Sequence, residues 1–193
     1  MAAVTLCCSL YAYKGDIARL QKTLVWYDAL CERAGVPFNL LLVEDCSDES
    51  FLPIKDYITT PKGWCENVQY FESEQRLGKA IQLNKLLLSA KTNFVGVVDN
   101  DVVLPVKWLL YCMEIACVKH VGSCGVLVEE HLELGKHEKV TAYNTKFYIP
   151  SKIGGAALVW SKSKLKELGF FRQDLGVYGH EDADFCNRLR RQG

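Results

Sequence analysis

Two aspartates one residue apart, Asp99 and Asp101, interrupt the apolar stretch "FVGVVDNDVVLP" at residues 94–105. In an extended backbone such a pair points one way and the intervening Asn100 the other. Oxygens placed like this suit a hard divalent ion, which keeps positions open for phosphate oxygens and water. That chemistry suggests a diphosphate ligand whose departing charge the ion stabilises. The plainer reading of the same residues is a turn closing a strand. Asp45 ends a second apolar stretch, "FNLLLVED". If both stretches are parallel central strands, Asp45, Asp99 and Asp101 meet at one edge of a sheet. Gathering them there costs like-charge repulsion unless a cation or ligand donors offset it.

A third constellation is "GVYGHEDADFCNRLR", where Gly176 and Gly179 permit close backbone approach. His180, Glu181, Asp182 and Asp184 then crowd the first turn of a helix. The helix dipole alone favours acids there. Four titratable groups in five positions exceed what capping needs, and one carboxylate could act as general base toward a hydroxyl. Asn84 lies on the apolar stripe of another helix, where an amide needs partners, either in the core or on a ligand. Arg76 and Lys79 open that helix and are placed to reach phosphate or to remain surface charges.

Other chemistries do not develop. The chain has no G-x-S-x-G elbow, P-loop, G-x-G-x-x-G fingerprint, H-E-x-x-H or CxxC pair. Its four histidines are dispersed, and only His180 lies beside the acids.

The elements that must carry these residues follow from periodicity. "VTLCCSL" reads as a first strand. A helical stripe of Ile17, Leu20, Leu24, Tyr27 and Cys31 follows and ends at Gly35 and Pro37. Residues 46–75 show little periodicity beyond an edge strand. Leu77, Ala80, Ile81, Asn84, Leu87 and Leu88 trace one helix face ahead of the strand "NFVGVVD". A helix over about 106–120 and a strand "SCGVLVEE" come next. Residues 131–152 are polar, and "HLELGKHEK" is expected to be exposed. "GGAALVWSKSKLKELG" is a strand running into a helix, and a last helix starts near Glu181. Unbroken apolar strands alternating with amphipathic helices predict an α/β fold. Its mostly parallel sheet is covered on both faces, with the ligand crevice beyond the strands' carboxyl ends.

Composition fits one globular unit over residues 1–193, with 49% apolar and 24% charged residues. Twenty-three basic residues balance twenty-three acidic ones, which gives no electrostatic reason to expect a nucleic-acid partner. No stretch approaches the roughly 20 apolar residues of a membrane span. The start "MAAVTLCCSLYAYKGD" reads as a strand rather than a secretion signal. Nine cysteines, with Cys7, Cys8, Cys31, Cys112, Cys117, Cys124 and Cys186 in apolar surroundings, suggest buried reduced thiols and a cytoplasmic protein.

In order and spacing these motifs resemble the GT-A fold glycosyltransferases, nearest the inverting family 2. "LLVEDCSDES" is similar to that family's first acidic motif, with Cys46 and Ser47 in place of the usual small residues. "RLGKAIQLNKLLLSAKTNFVGVVDNDVVLP" is similar to its middle motif. "IGGAALVWSKSKLKELGFFRQDLGVYGHEDADFCNRLRRQG" resembles its acceptor region, and also the C-terminal region of the β-1,4-galactosyltransferases. The likeness covers about residues 4–191. It implies a GT-A, Rossmann-like three-layer α/β/α sandwich, with residues 1–105 as the nucleotide-binding half and 106–193 as the acceptor-binding half.

The resemblance also implies roles. Asp45, Lys79, Asn84 and Asp99 would contact the nucleotide. Asp101, with Asp99, would hold Mn2+ or Mg2+, and His180 stands where it could add a ligand. Gly154, Gly155 and Glu181 would line the acceptor side, and Asp182 would be the catalytic base. The expected partners are a nucleotide-sugar donor, by default a UDP-sugar, and a glycan or other hydroxyl-bearing acceptor. Phe170, Phe171 and Tyr178 offer that acceptor stacking faces unless they pack in the core. The same strand-end acids would also serve a sugar-phosphate nucleotidyltransferase, for which "LYAYKGDIARL" is a poor phosphate loop. An inactive domain retaining the fold is the remaining alternative.

Overall fold

The unbroken apolar strands divide their side chains between two faces, as a sheet covered on both sides requires. The computed structural model describes residues 2–117, 124–125, 138–142, 145–149, 156–177 and 179–191. From strand β1 (Val4–Leu10), residues Val4, Leu6, Cys8 and Leu10 join one core cluster, and Cys7 joins the other. Strand β2 (Phe38–Glu44) alternates the same way, with Phe38, Leu40 and Leu42 against Leu41 and Val43. Each fully buried side chain of this size contributes about 1.5–3 kcal/mol relative to exposure.

Strand β3 (Cys65–Glu72) is the expected edge strand. Strands β1 to β3 and β4 (Phe94–Val98) run parallel. Next to β4, strand β8 (Ala157–Ser161) runs antiparallel, and a short β5 (Cys124–Gly125) pairs with it. The sheet order is β3-β2-β1-β4-β8-β5. A separate antiparallel pair, β6 (Glu138–Ala142) and β7 (Thr145–Ile149), lies in the polar segment where no strand was expected. Of "SCGVLVEE", only residues 124–125 are described.

One face is covered by helices α1 (Ile17–Arg33), α2 (Leu52–Thr59) and α4 (Trp108–Ala116). Helix α2 was not expected. It has only two turns and buries only Ile54 and Ile58, too few apolar positions to mark a stripe. The expected helix over 106–120 starts later, after Lys107 in the left-handed region at φ 61°. The other face carries α3 (Lys79–Ser89), α5 (Lys162–Leu168) and α6 (Glu181–Arg191).

Helix α6 is anchored by Phe185, whose ring lies 5.2 Å from Trp160 and 5.3 Å from Phe171. The Arg188 guanidinium fixes it further, donating to the carbonyls of Leu168, Gly169 and Phe170. Phe171 is thus a core residue rather than a stacking face, and Phe170 packs against the same cluster. Tyr178 lies outside the described residues. Of the cysteines expected to be buried, Cys117 is exposed, at the end of α4.

Candidate active site

The acids do converge. A cleft of about 200 Å³ opens beyond the carboxyl ends of β1, β2 and β4, with Asp45, Asp99 and Asp101 in its wall. The chain after β4 is held from two sides. Asp99 N donates to Ala156 O at 2.8 Å, and Asn100 Nδ2 donates to Thr23 Oγ1 on α1 at 2.8 Å. The Asn100 amide is thus tied to α1 while all three residues, Asp99 to Asp101, line the cleft.

The cations that offset the repulsion are the protein's own. Lys79 Nζ lies 2.7 Å from Asp99 Oδ1 and 3.7 Å from Glu181 Oε1. Arg19 Nη1 lies 2.5 Å from Asp101 Oδ2. Burial raises the pKa of Asp99 above the ordinary aspartate value; Lys79 pulls it down, and Asp101 and Glu181 push it further up. Lys79 thus ties a strand-end acid to the first residue of α6, across the two halves of the sequence.

The two acids that end β2 go to different work. Glu44 accepts from the Tyr70 hydroxyl and from Phe51 N, away from the cleft, and organises the start of α2. Asp45 is buried. Its carboxylate accepts from Leu77 N and Gly78 N at 2.8 Å each, and from Gln82 Nε2 at 2.6 Å. Two carboxylate oxygens offer about four lone-pair sites, and these donors take three of them. The turn it holds requires glycine: Gly78 has φ 93°, and a Cβ there would lie 2.5 Å from Val177 O. This contact, with Lys79 N donating to Val177 O, brings the segment before α6 to the cleft rim.

Asn84 is not in the cleft wall. It is 3% exposed and spends its amide on Phe171, donating from Nδ2 to Phe171 O and accepting at Oδ1 from Phe171 N. The core reading of this residue replaces the expected nucleotide contact. Asp182 is half-buried beside Glu181, with Oδ1 accepting from Ala183 N at 2.7 Å, and it does not line the cleft. Gly154 and Gly155 lie outside the described residues.

Metal fit can be judged from the donor set. Asp99 and Asp101 offer carboxylate oxygens at one lip. Among the described residues no three His, Cys, Asp or Glu side chains group around one point. His180 is exposed, with a left-handed backbone at φ 69°. Two carboxylates fit an ion that takes the rest of its shell from water and substrate phosphates.

Three cleft residues, Arg19, Tyr11 and Tyr13, went unrecognised in the sequence, as did Gln82, which is buried behind the wall and holds Asp45. Arg19 follows Asp16, which caps α1 by accepting from Arg19 N. Gln82 sits one turn into α3. Tyr11 and Tyr13 follow β1 with ring centroids 4.9 Å apart, and the Arg76 guanidinium lies 4.0 Å from the Tyr11 ring centroid. The usable signal was position, since Tyr11, Tyr13 and Arg19 all follow the carboxyl end of the first strand, where ligands of such sheets bind.

Comparison with known proteins decides the family. The model of glycosyl transferase family 2 matches residues 19–186. The chain belongs to glycosyl transferase family 2. Its GT-A fold is shared with solved structures of low identity. One is the mannosyltransferase PcManGT from Pyrobaculum calidifontis in complex with GDP-Man and Mn2+, with TM-score 0.71 and 18% identity. It is covered over 53% of its length by the whole of this chain. S. aureus TarS 1-349 in complex with UDP-GlcNAc gives TM-score 0.66 at 17% identity, over 96% of this chain and 52% of that one. GalNAc-T7 with UDP, GalNAc and Mn2+ gives 0.64 at 14%, over 98% and 40%. The family 2 chain thus spans about half the length of these structures or less. No curated protein sequence matches it significantly. Among the described residues no helix is long and apolar enough to cross a membrane.

Proposed function

We infer that this family 2 chain transfers a glycosyl group from a nucleotide-diphospho-sugar, by default a UDP-sugar, to an acceptor hydroxyl with inversion. The observation that carries the reading is the Lys79 bridge between Asp99 and Glu181, which joins the strand-end acids to the acidic turn of α6. The base of the donor lies toward Asp45, where Tyr11, Tyr13 and Arg76 offer planar faces. Asp101, assisted by Asp99, would hold Mn2+ or Mg2+; two structural neighbours are solved with Mn2+. When bound, the ion supplies charge stabilisation for the departing diphosphate. Asp45 and Gly78 fix the turn that carries Lys79, so its ammonium is positioned before the donor arrives.

Glu181 orients the acceptor. Asp182 takes the proton from its hydroxyl as that oxygen bonds to the anomeric carbon and the bond to the diphosphate breaks. A single displacement from the opposite face inverts the configuration. Asp182→Asn tests this division of labour. Transfer falls by at least about a hundredfold, while the affinity for the nucleotide diphosphate stays within about twofold. Equal loss of both would refute the assignment of Asp182 as base. Supply of a nucleoside triphosphate with a sugar phosphate checks for nucleotidyl transfer, and turnover there would replace this reading.

A further inference from the structure

We propose that Arg19 is an exchangeable counter-ion: it occupies Asp101 while the cleft is empty and turns to the donor's diphosphate once a metal ion takes that carboxylate. The inference rests on the glycosyl-transfer reading and concerns how its metal and donor are loaded. Arg19 stands in the first turn of α1, with Nη1 at 2.5 Å from Asp101 Oδ2 and Nε at 3.7 Å from Asp16 Oδ2. Both side chains of the Arg19–Asp101 pair are about one-third exposed, at 28% and 35%. The pair therefore sits at the open lip, where an ion pair is worth little and exchanges readily. Lys79 differs. Its side chain is 17% exposed, lies between Asp99 and Glu181, and follows a turn fixed by Asp45 and Val177. Of the two cations, Arg19 is the one that can leave.

A guanidinium on Asp101 and a divalent ion on the same carboxylate oppose each other, by competing for Oδ2 and by mutual repulsion. Metal alone must therefore displace Arg19 with only the more distant Asp16 carboxylate left to it. Metal arriving with a diphosphate offers the released guanidinium a new anionic partner, for which its planar fork of donors is suited. Asp16 remains within reach during the exchange and keeps Arg19 at the cleft. Metal and nucleotide binding become mutually reinforcing, and by linkage each tightens the other by the same factor.

The test is Mn2+ binding, followed through the spectroscopic signal of the free ion, with and without UDP or GDP. Wild type, Arg19→Gln and Arg19→Lys are compared after circular dichroism confirms the fold. Without nucleotide, Arg19→Gln binds Mn2+ about tenfold more tightly than wild type, and Arg19→Lys returns toward the wild-type value. The factor by which nucleotide tightens Mn2+ shrinks in Arg19→Gln. A merely structural role would leave donor-free affinity unchanged or lower it, and either result overturns the proposal. If wild type fails to bind Mn2+ even with nucleotide, the assignment of a metal ion to Asp101 falls, and the counter-ion role with it. If nucleotide-dependent binding persists but donor-free affinity does not rise in Arg19→Gln, only the counter-ion role is lost.

Discussion

The amide of Asn84 holds the backbone of Phe171 at both ends, donating to its carbonyl at 2.8 Å and accepting from its N–H at 3.0 Å. The two residues are 87 apart in sequence, and the contact fastens α3 to the chain between α5 and α6. Asn84→Ala leaves two buried main-chain groups without partners and should lower unfolding stability by about 2–4 kcal/mol. Asn84→Asp keeps the acceptor but loses the donor, and falls between. Urea unfolding measures both. A change under about 0.5 kcal/mol for Asn84→Ala would contradict this account of the contact.

The turn at Gly78 makes a second prediction. Gly78→Ala adds a methyl 2.5 Å from Val177 O at a backbone φ of 93°. The cost is about 1–3 kcal/mol in thermal or urea unfolding. Nucleotide affinity falls as well, because the turn carries the amides bonded to Asp45 and the backbone of Lys79. Wild-type stability in this variant would mean that the turn is not tightly seated.

The strand-end acids were legible because each closes an uninterrupted apolar run, and such runs in a parallel sheet finish at a common edge. The partners of those acids were not. Arg19 is 82 residues from Asp101, and no local pattern distinguishes it from any other arginine near the start of a helix. Asn84 shows the same limit from the other side: an amide on an apolar stripe announces that it needs partners, but not which ones. Helix α2 and the β6–β7 pair escaped for a different reason. The first buries two side chains, and the second lies in a polar segment without the alternation that marks a half-buried strand.

Acid sensitivity is expected away from the cleft. Burial tends to raise the pKa of Asp28, but hydrogen bonds from Lys62 and Tyr57 and the Lys62 charge outweigh it and hold the carboxyl below the ordinary aspartate range. The folded chain then binds fewer protons at this site than the unfolded chain. Its stabilising contribution is complete above the unfolded value of about 3.9 and is lost as pH falls through the folded value. Asp28→Asn should therefore lower Tm at pH 7 and match wild type under strongly acidic conditions. Because the Asp28 side chain is 42% exposed, the difference is small and shrinks with added salt. An unchanged Tm difference from pH 7 down to pH 2 would contradict the assignment.

In the proposed function, Asp99 and Asp101 form the receiving edge for a nucleotide diphosphate and its metal ion. Calorimetric titration of UDP and GDP into wild type and Asp101→Asn, each with and without Mn2+, tests it most directly. One of these nucleotides should bind wild type at least about tenfold more tightly with Mn2+, and Asp101→Asn should abolish this enhancement. Equal affinity of both nucleotides for wild type with and without Mn2+, or an enhancement that survives Asp101→Asn, would refute it.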